Sequence, residues 1–556
     1  MTTELRGQPA APGVATGAPW VLGASVTEGT AAILGLDEAS AAARADLERL
    51  GRLLRAEGRL EEAAILEAQA MMAADPELID AARDRVAAGA DPAAAVTAAG
   101  GAVATAFEAM DDAVLAARAA DVRDVTARIV RHLVGASAPR LERRSIVVSF
   151  DLPPSVTVEL DRSLLAGIAL EGGSRTSHAA ILARSLGIPA VVAVAGLLAA
   201  VDGAHELALD GAAGTVAVDP DEAVGRRLAA AAVRDASGRA ADDAYRSRPL
   251  VTADGQRVTC AANIGDPTEA VHAMAAGAEG IGLFRTEFAF GARSSAPSEE
   301  EQAGWYASVL RAAGNATVVF RLADIGGDKP LPYLALQAEP NPFLGVRAIR
   351  LAATHPDLYP TQVRAILRAS AFTGRPASIM APMVTDLADV ELVRAIVDEA
   401  RRTVLDAPAP RVGIMVEVPS AVLLAQDLAS RVDFLSIGTN DLTQYLLAAD
   451  RTNPALSARQ DPMHPAVLRA IARVVAAATA TAGSCEVAVC GEMASDPLGA
   501  MLLVGLGVDE LSMEPRAFGA VKRAVAARAM AELERLAEAA MRSATADDVR
   551  AMMEAA

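Results

Sequence analysis

From about Leu250 onward, short apolar runs alternate with stretches of helical periodicity, and this alternation restricts the fold more than any other feature. The runs are Val258–Ile264, Gly280–Phe284, Val318–Leu322, Ser378–Met383, Val412–Val416, Asp433–Ile437, Val487–Cys490 and Glu510–Ser512. Apolar runs of this length read as strands, and strands separated by helices pair in parallel. About eight β–α units in about 300 residues is the arithmetic of a (β/α)8 barrel, with a doubly wound open sheet as the competitor. Polar residues cluster just after these runs, where either fold places its chemistry.

The first half reads differently. Residues of about 30–135 are helical in pattern, with Glu38–Ala56, Arg59–Met72, Pro76–Ala88 and Val103–Ala119 carrying apolar residues at three- and four-residue spacing. Asp75-Pro76 and Asp91-Pro92 have the form of a helix cap followed by proline at the first helical position. At Ser145 the pattern changes: Ser145–Phe150, Gly187–Val194, Glu206–Leu209 and Thr215–Val218 read as strands of a small α/β module, completed by the segment near Leu5–Leu22. The charged, helix-prone stretch Asp221–Arg248 reads as a linker.

Composition removes several classes of function. The 556 residues carry a formal charge of −19, which argues against a general binder of nucleic-acid backbones. The N-terminus lacks the basic start and apolar stretch of a secretory signal, and no apolar run is long enough to span a bilayer. Cys260, Cys485 and Cys490 form no CxxC pair and cannot build a disulfide framework, which points to a reducing cytoplasm. Only two residues, Lys329 and Lys522, are lysines among many arginines.

Four groups of residues carry chemistry. Gly172-Gly173-Ser174-Arg175-Thr176-Ser177-His178 delivers an imidazole to the start of a helical run. There a neutral imidazole suits a nucleophile, and a phosphoryl group on it would face free backbone N–H groups; the alternative is a plain N-terminal helix residue. Arg285 in GIGLFRTEF, Arg321 and Lys329 in VVFRLADIGGDK, and Arg347 in NPFLGVRAIR would converge on a compact anion of more than one charge. Surface ion pairing is the competing use. Glu417 in IMVEVPS and Asp441, beside Asn440 in SIGTNDLTQY and ahead of Arg451, make an oxygen-ligand pair suited to Mg²⁺, although Asp441 could instead cap a helix. Cys490 in VAVCGEMA ends a late strand and is either a buried small hydrophobe or a reactive thiol.

Glu171–Val194 resembles the phosphohistidine segment of phosphoenolpyruvate-utilising enzymes. FRTEF, DIGGDKP, VEVPS, SIGTNDLTQY and CGEMA resemble the phosphoenolpyruvate-binding barrel of the same family, in family order. With APGVATG at Ala11–Gly17, EAQAMMAADPEL at Glu67–Leu78 and ADVRDVTARIVRHLVG at Ala120–Gly135, nearly the whole chain is similar to Enzyme I of the sugar phosphotransferase system. The resemblance implies a helical carrier-binding module (25–142) inserted in a phosphohistidine α/β domain (1–24 and 143–220), a helical linker (221–249), and a (β/α)8 TIM barrel that also dimerises (250–556).

It further implies a phosphoenolpyruvate–protein phosphotransferase. His178 would accept the phosphoryl group and pass it to a histidine of the carrier HPr, releasing pyruvate. Glu417 and Asp441 would hold Mg²⁺, and Arg285, Arg321 and Arg451 would clamp phosphate oxygens. Lys329, Arg347 and Asn440 would orient phosphate or carboxylate, Cys490 would protonate the enolate, and Thr157 would hydrogen-bond His178. One departure is Ser174, where the family usually carries glycine. His132, His205, His272, His355 and His464 are expected to be structural, and Glu61, Glu62, Glu67, Asp75 and Glu77 either steer a basic carrier or form a solvated face. The alternatives are a donor for a nitrogen-type regulatory relay, counted against because the chain starts directly with APGVATG; an aldolase- or pyruvate-kinase-like barrel, which leaves the His178 segment unexplained; and a non-catalytic carrier-binding scaffold.

Overall fold

Eight strands of the N-terminal unit, Met1–Gly238, form one sheet in the computed structural model. The structure describes the chain apart from residues 1, 23–33, 57–59, 110–112, 139, 174–177, 292, 294, 328–330, 332, 335, 338, 452, 454, 455, 457, 458 and 482–484, and apart from the side chains of 56, 60–64, 113–117, 154, 178, 181, 182, 185 and 235. The strands are β1 (Thr3–Arg6), β2 (Gln8–Ala11), β3 (Val14–Val21), β4 (Ser145–Ser149), β5 (Leu165–Leu170), β6 (Ala190–Val192), β7 (Leu207–Asp210) and β8 (Thr215–Val218). Their order is β1-β8-β7-β3-β4-β5-β6-β2.

Among the described residues, five helices lie in the chain between β3 and β4: Leu36–Ala56, Leu60–Ala73, Pro76–Ala87, Pro92–Glu108 and Ala113–Leu133. Yet β3 and β4 are adjacent and parallel, from Ala18 opposite Ser145 to Val21 opposite Val148. The helices are thus an insertion between two neighbouring strands, packed around Leu47, Leu54, Leu66, Val96 and Ile129. Both expected caps form: Asp75 accepts from Glu77 N at 2.9 Å and Asp91 from Ala94 N at 3.0 Å. The expected single helix Val103–Ala119 is instead the end of one helix and the start of another. An alanine-rich run with no glycine or proline conceals that break. An unbroken helix, Glu222–Arg246, covers most of the stretch read as a linker.

In the second unit, Arg239–Ala556, the short β9 (Leu250–Val251) precedes β10 (Arg257–Ile264), β11 (Ile281–Arg285), β12 (Val318–Arg321), β13 (Ser378–Ala381), β14 (Arg411–Val416), β15 (Phe434–Ile437), β16 (Glu486–Val489) and β17 (Glu510–Met513). The strands from β10 to β17 pair in parallel with their neighbours, and β11 also pairs with β10, so the sheet closes into the eight-stranded barrel. The open-sheet alternative is excluded. Side chains alternate across the wall: Leu283, Val319, Met380, Met415, Phe434 and Cys490 pack together inside, while intervening residues such as Phe284, Phe320, Ile379, Ile414, Leu435 and Val489 join the core shared with the outer helices. Two residues beyond Met415 the same alternation turns Glu417 inward, and Arg321, two residues beyond Val319, follows suit.

At the other end of the barrel, Glu510 opens β17 and is buried. Burial, then the charges of Glu486 and Glu279, raise its pKa to about 8, with Arg411 opposing. A carboxyl raised on folding contributes its stability below its unfolded pKa and loses it as pH rises through the folded value. Stability should therefore decline from about pH 4.5 to about 8. In denaturant titrations Glu510→Gln should flatten that decline and leave the variant more stable than the parent at pH 9, by roughly 5 kcal/mol at most. An unchanged slope would show that Glu510 is not the group responsible.

Candidate active site

All eight barrel strands point the same way, so their C-terminal ends share one mouth, and Arg285, Arg321, Arg347, Glu417, Asn440, Asp441, Arg451 and Cys490 gather there. Arg285 and Arg321 are the last residues of β11 and β12, with Arg285 exposed and Arg321 buried. Glu417 immediately follows β14, and Asn440 and Asp441 lie in the first turn of the helix Thr439–Leu447 after β15. Cys490 immediately follows β16. Arg347 and Arg451 come from loops that reach the same place, shown by their contacts to Asp441 at 3.6 and 3.7 Å.

The arginines already hold carboxylate partners. Arg321 donates to Glu287 Oε1 at 2.6 Å, and the same oxygen accepts from Asp324 N at 2.7 Å. Arg347 is fully buried and forks onto Asp324, with Nε to Oδ1 at 3.1 Å and Nη2 to Oδ2 at 2.7 Å. Such bidentate pairs fix both position and direction. The Gly pair of DIGGDK makes this approach possible: Gly326 and Gly327 have φ of 88° and 58°, and a Cβ on Gly326 would sit 2.5 Å from Val346 O. The paired carboxylates hold the guanidinium charges of Arg321 and Arg347 firmly on, against the opposing effect of burial.

Glu417 and Asp441 face a different problem. Glu417 is buried, and burial together with the charges of Asp441 and Asp324 raises its pKa to about 8 despite Arg321 and Arg347. Its Oε1 accepts from Met383 N at 2.7 Å, an N–H that Met383 delivers from a left-handed backbone (φ 58°). Its Oε2 lies where a Cβ on Gly438 would come within 2.9 Å, so glycine keeps that oxygen clear. Asp441 Oδ1 is buried and accepts no hydrogen bond among the described residues. Two buried carboxylates that repel each other, one with an orphaned oxygen, fit a hard divalent cation. Among the described residues no group of three or more His, Cys, Asp or Glu side chains is gathered around such a position, so any ion would complete its shell with substrate and water oxygens. Glu287 Oε2, Arg321 Nε and Thr439 Oγ1 are also buried without hydrogen-bond partners among the described residues. Such a collection of unmet polar atoms at one mouth suits a polar occupant.

Asn440 is engaged in a reciprocal pair, donating to Glu492 Oε1 at 3.2 Å and accepting from Glu492 N at 2.9 Å, which ties the tips of β15 and β16 together. Cys490 lies at the inner wall. Burial raises its thiol pKa, opposed by the Ser436 hydroxyl and the charges of Arg321 and Arg285. Cys260 and Cys485 are buried elsewhere.

Other expected residues fall outside this mouth or outside the described residues. Lys329 and Ser174 lie outside the described residues. His178 opens the helix His178–Leu186, with its side chain outside those described. Thr157 is buried in the short helix Pro154–Glu159 and its hydroxyl donates to Pro153 O at 3.2 Å. His464 caps the helix Pro465–Thr479 by accepting from Ala466 N, and His132 lies 3.1 Å from Asp46. Of the acidic stretch, Glu67 pairs with Arg55 and Asp75 caps a helix, while the side chains of Glu61 and Glu62 lie outside those described. The sequence reading missed Glu287, Asn263 and Ser512 and gave Asp324 no role. A strand-alternation count that turns Asn263 and Ser512 inward would have found the last pair.

A closed parallel barrel whose mouth, among the described residues, gathers four arginines and five carboxyl groups suits an enzyme that handles small polyanions. Comparison with known proteins agrees. The PEP-binding domain of PEP-utilising enzymes matches residues 239–530, the mobile domain 141–214 and the N-terminal domain 6–118. A phosphoenolpyruvate-protein phosphotransferase of Streptomyces coelicolor is 42% identical over 565 residues, covering 100% of this chain and 99% of that protein. A multiphosphoryl transfer protein of Rhodobacter capsulatus is 45% identical over 447 residues, 80% of this chain; the aligned stretch spans about half (53%) of that protein's length. An NMR solution structure of Enzyme I (nEIt) is 29% identical and covers 42% of this chain and 99% of its own, with a TM-score of 0.33. The chain belongs to the PEP-utilising enzymes, and within them to the phosphoenolpyruvate-protein phosphotransferases.

Proposed function

We propose that the chain moves the phosphoryl group of phosphoenolpyruvate onto His178 and then onto a histidine of an HPr-type carrier, as the entry step of a sugar-uptake relay. The observation that carries this reading is the barrel mouth, where buried, fixed guanidinium groups stand beside a buried carboxylate pair, one oxygen of which accepts no hydrogen bond among the described residues. Among the described residues the guanidinium groups of Arg285, Arg321, Arg347 and Arg451 share this mouth with the carboxyl groups of Glu287, Asp324, Glu417, Asp441 and Glu492, so much of their charge is already met and a bound trianion calls for added positive charge. Glu417 and Asp441 would hold Mg²⁺, and Lys329, by its place in the motif, would add positive charge toward the donor. Bound Mg²⁺ would neutralise charge on the donor's oxygens.

In the proposed reaction the His178 nitrogen attacks phosphorus, the P–O bond to the enol oxygen breaks, and its electron pair stays on that oxygen. Arg285, Arg321 and Arg451 hold the phosphoryl oxygens in line, while Arg347 and Asn440 orient the donor. The enolate then collapses to a ketone as C3 takes the proton of the Cys490 thiol, giving pyruvate and a thiolate that recovers its proton from solvent. The phosphoryl group leaves His178 when the carrier's imidazole attacks it. Thr157 would steady the His178 imidazole, the helical module would receive the carrier, and the barrel unit would pair two copies. Buried free cysteines support a reducing cytoplasm, and among the described residues no helix is long and apolar enough to cross a membrane.

Labelled phosphoenolpyruvate with Mg²⁺ should place acid-labile, base-stable label on the protein, and His178→Ala should carry none. Label persisting in that variant would overturn the assignment of the acceptor.

A further inference from the structure

Cys490 is held from both sides, and only one side is ordinary sheet. Its N–H donates to Ile437 O at 3.1 Å, continuing the ladder with β15. On the β17 side the ladder stops one residue earlier, with Ala488 opposite Glu510 and Val489 opposite Leu511. The Cys490 carbonyl is met there by a side chain instead: Asn263 Nδ2, from β10 on the far side of β17, donates to it at 3.0 Å. Ser512, inward on β17 between the two, donates its hydroxyl to Asn263 Oδ1 at 2.7 Å. A carbonyl can only accept, so this network fixes which end of the amide faces Cys490.

Asn263 and Ser512 are buried, in a barrel lined elsewhere by Leu283, Val319, Met380, Met415 and Phe434. Burying an amide and a hydroxyl there is costly unless both are hydrogen-bonded; the hydroxyl is met by Asn263 Oδ1, and the amide N–H by the carbonyl of the residue that bears the thiol. The next residue offers no slack, because a Cβ on Gly491 would lie 1.8 Å from Thr439 Oγ1.

We propose that Asn263, oriented by Ser512, is a positioning residue that aims the Cys490 thiol at the methylene carbon of the enolate. This rests on Cys490 being the proton donor. The readout is the stereochemistry of protonation: phosphoenolpyruvate carrying one deuterium at a defined C3 position is turned over in tritiated water, and the chirality of the pyruvate methyl is measured. The parent should give one methyl chirality. Asn263→Asp, which keeps the shape but replaces the donor by an acceptor, should lower kcat at least tenfold with KM for phosphoenolpyruvate within twofold. It should still phosphorylate His178, and the methyl should be largely racemic as the loosened enolate is protonated by water. Ser512→Ala should show the same loss in milder form, and serves if Asn263→Asp does not fold. Parent-like chirality and kcat in a folded Asn263→Asp protein, or in Ser512→Ala where that is the variant available, would overturn the proposal. Parent-like chirality in Cys490→Ala would instead overturn Cys490 as donor, which separates the two failures.

Discussion

Arg347→Ala should cost the barrel about 3–5 kcal/mol of stability and remove nearly all turnover. Arg347 and Asp324 are both almost fully buried, and the guanidinium fork supplies two hydrogen bonds to Asp324 and a third nitrogen 3.6 Å from Asp441. Truncation leaves the Asp324 carboxylate in a low-dielectric site without its main counter-charge, which is the expensive way to break a buried pair. It also removes positive charge that opposes the rise in the Glu417 pKa, so metal uptake at Glu417 and Asp441 should weaken with it. Arg347→Lys should recover only part, since an ammonium cannot reproduce a planar fork. Urea unfolding of both variants is the check. A loss under about 1 kcal/mol for Arg347→Ala would mean that the site relaxes around the missing charge.

Cys490→Ala should lower kcat by about 10²–10⁴ while KM for phosphoenolpyruvate moves little, the range for removing a positioned general acid. The side chain is buried at the inner wall and alanine fills nearly the same space, so folding should survive. Burial raises the thiol pKa, which keeps the proton on sulfur through neutral pH, as an acid requires. Turnover should thus hold across neutral pH and fall on the alkaline side as the thiol ionises. Cys490→Ser should not restore it, because a hydroxyl is a far weaker acid. Single-turnover formation of pyruvate, followed beside label on His178, separates protonation from phosphoryl transfer. Parent-like pyruvate formation in Cys490→Ala would remove the thiol from the mechanism.

The barrel was legible because each of its strands is a short apolar run cut off by glycine, proline or charge, and the expected runs lie within a residue or two of β10–β17. In the N-terminal unit, β5 escaped detection. Leu165–Leu170 is buried throughout, so it lacks the alternation that marks a half-exposed strand, and Gly167 weakens it further as a β signal. At the mouth, the arginines and the carboxylate pair stood out as motif residues, but their counter-charges did not. Glu287 serves Arg321 across 34 positions and Asp324 serves Arg347 across 23, pairings made by the side-by-side placing of β11 and β12 and by the fold-back of the segment after β12. Asn263 reaches Cys490 across 227 positions, beyond the range of any local pattern.

The insertion between β3 and β4 has a consequence for how the N-terminal unit comes together. Strands that touch in the finished sheet are separated by the entire bundle, so their ladder must wait for a very long segment to shorten. The helices rely mainly on near neighbours in sequence and can collapse on their own, drawing the strand ends within reach as they do. Assembly is therefore expected to run from the inside of the chain outward, and a substitution that loosens the Leu47–Ile129 core should slow the closing of the β3–β4 ladder in stopped-flow refolding.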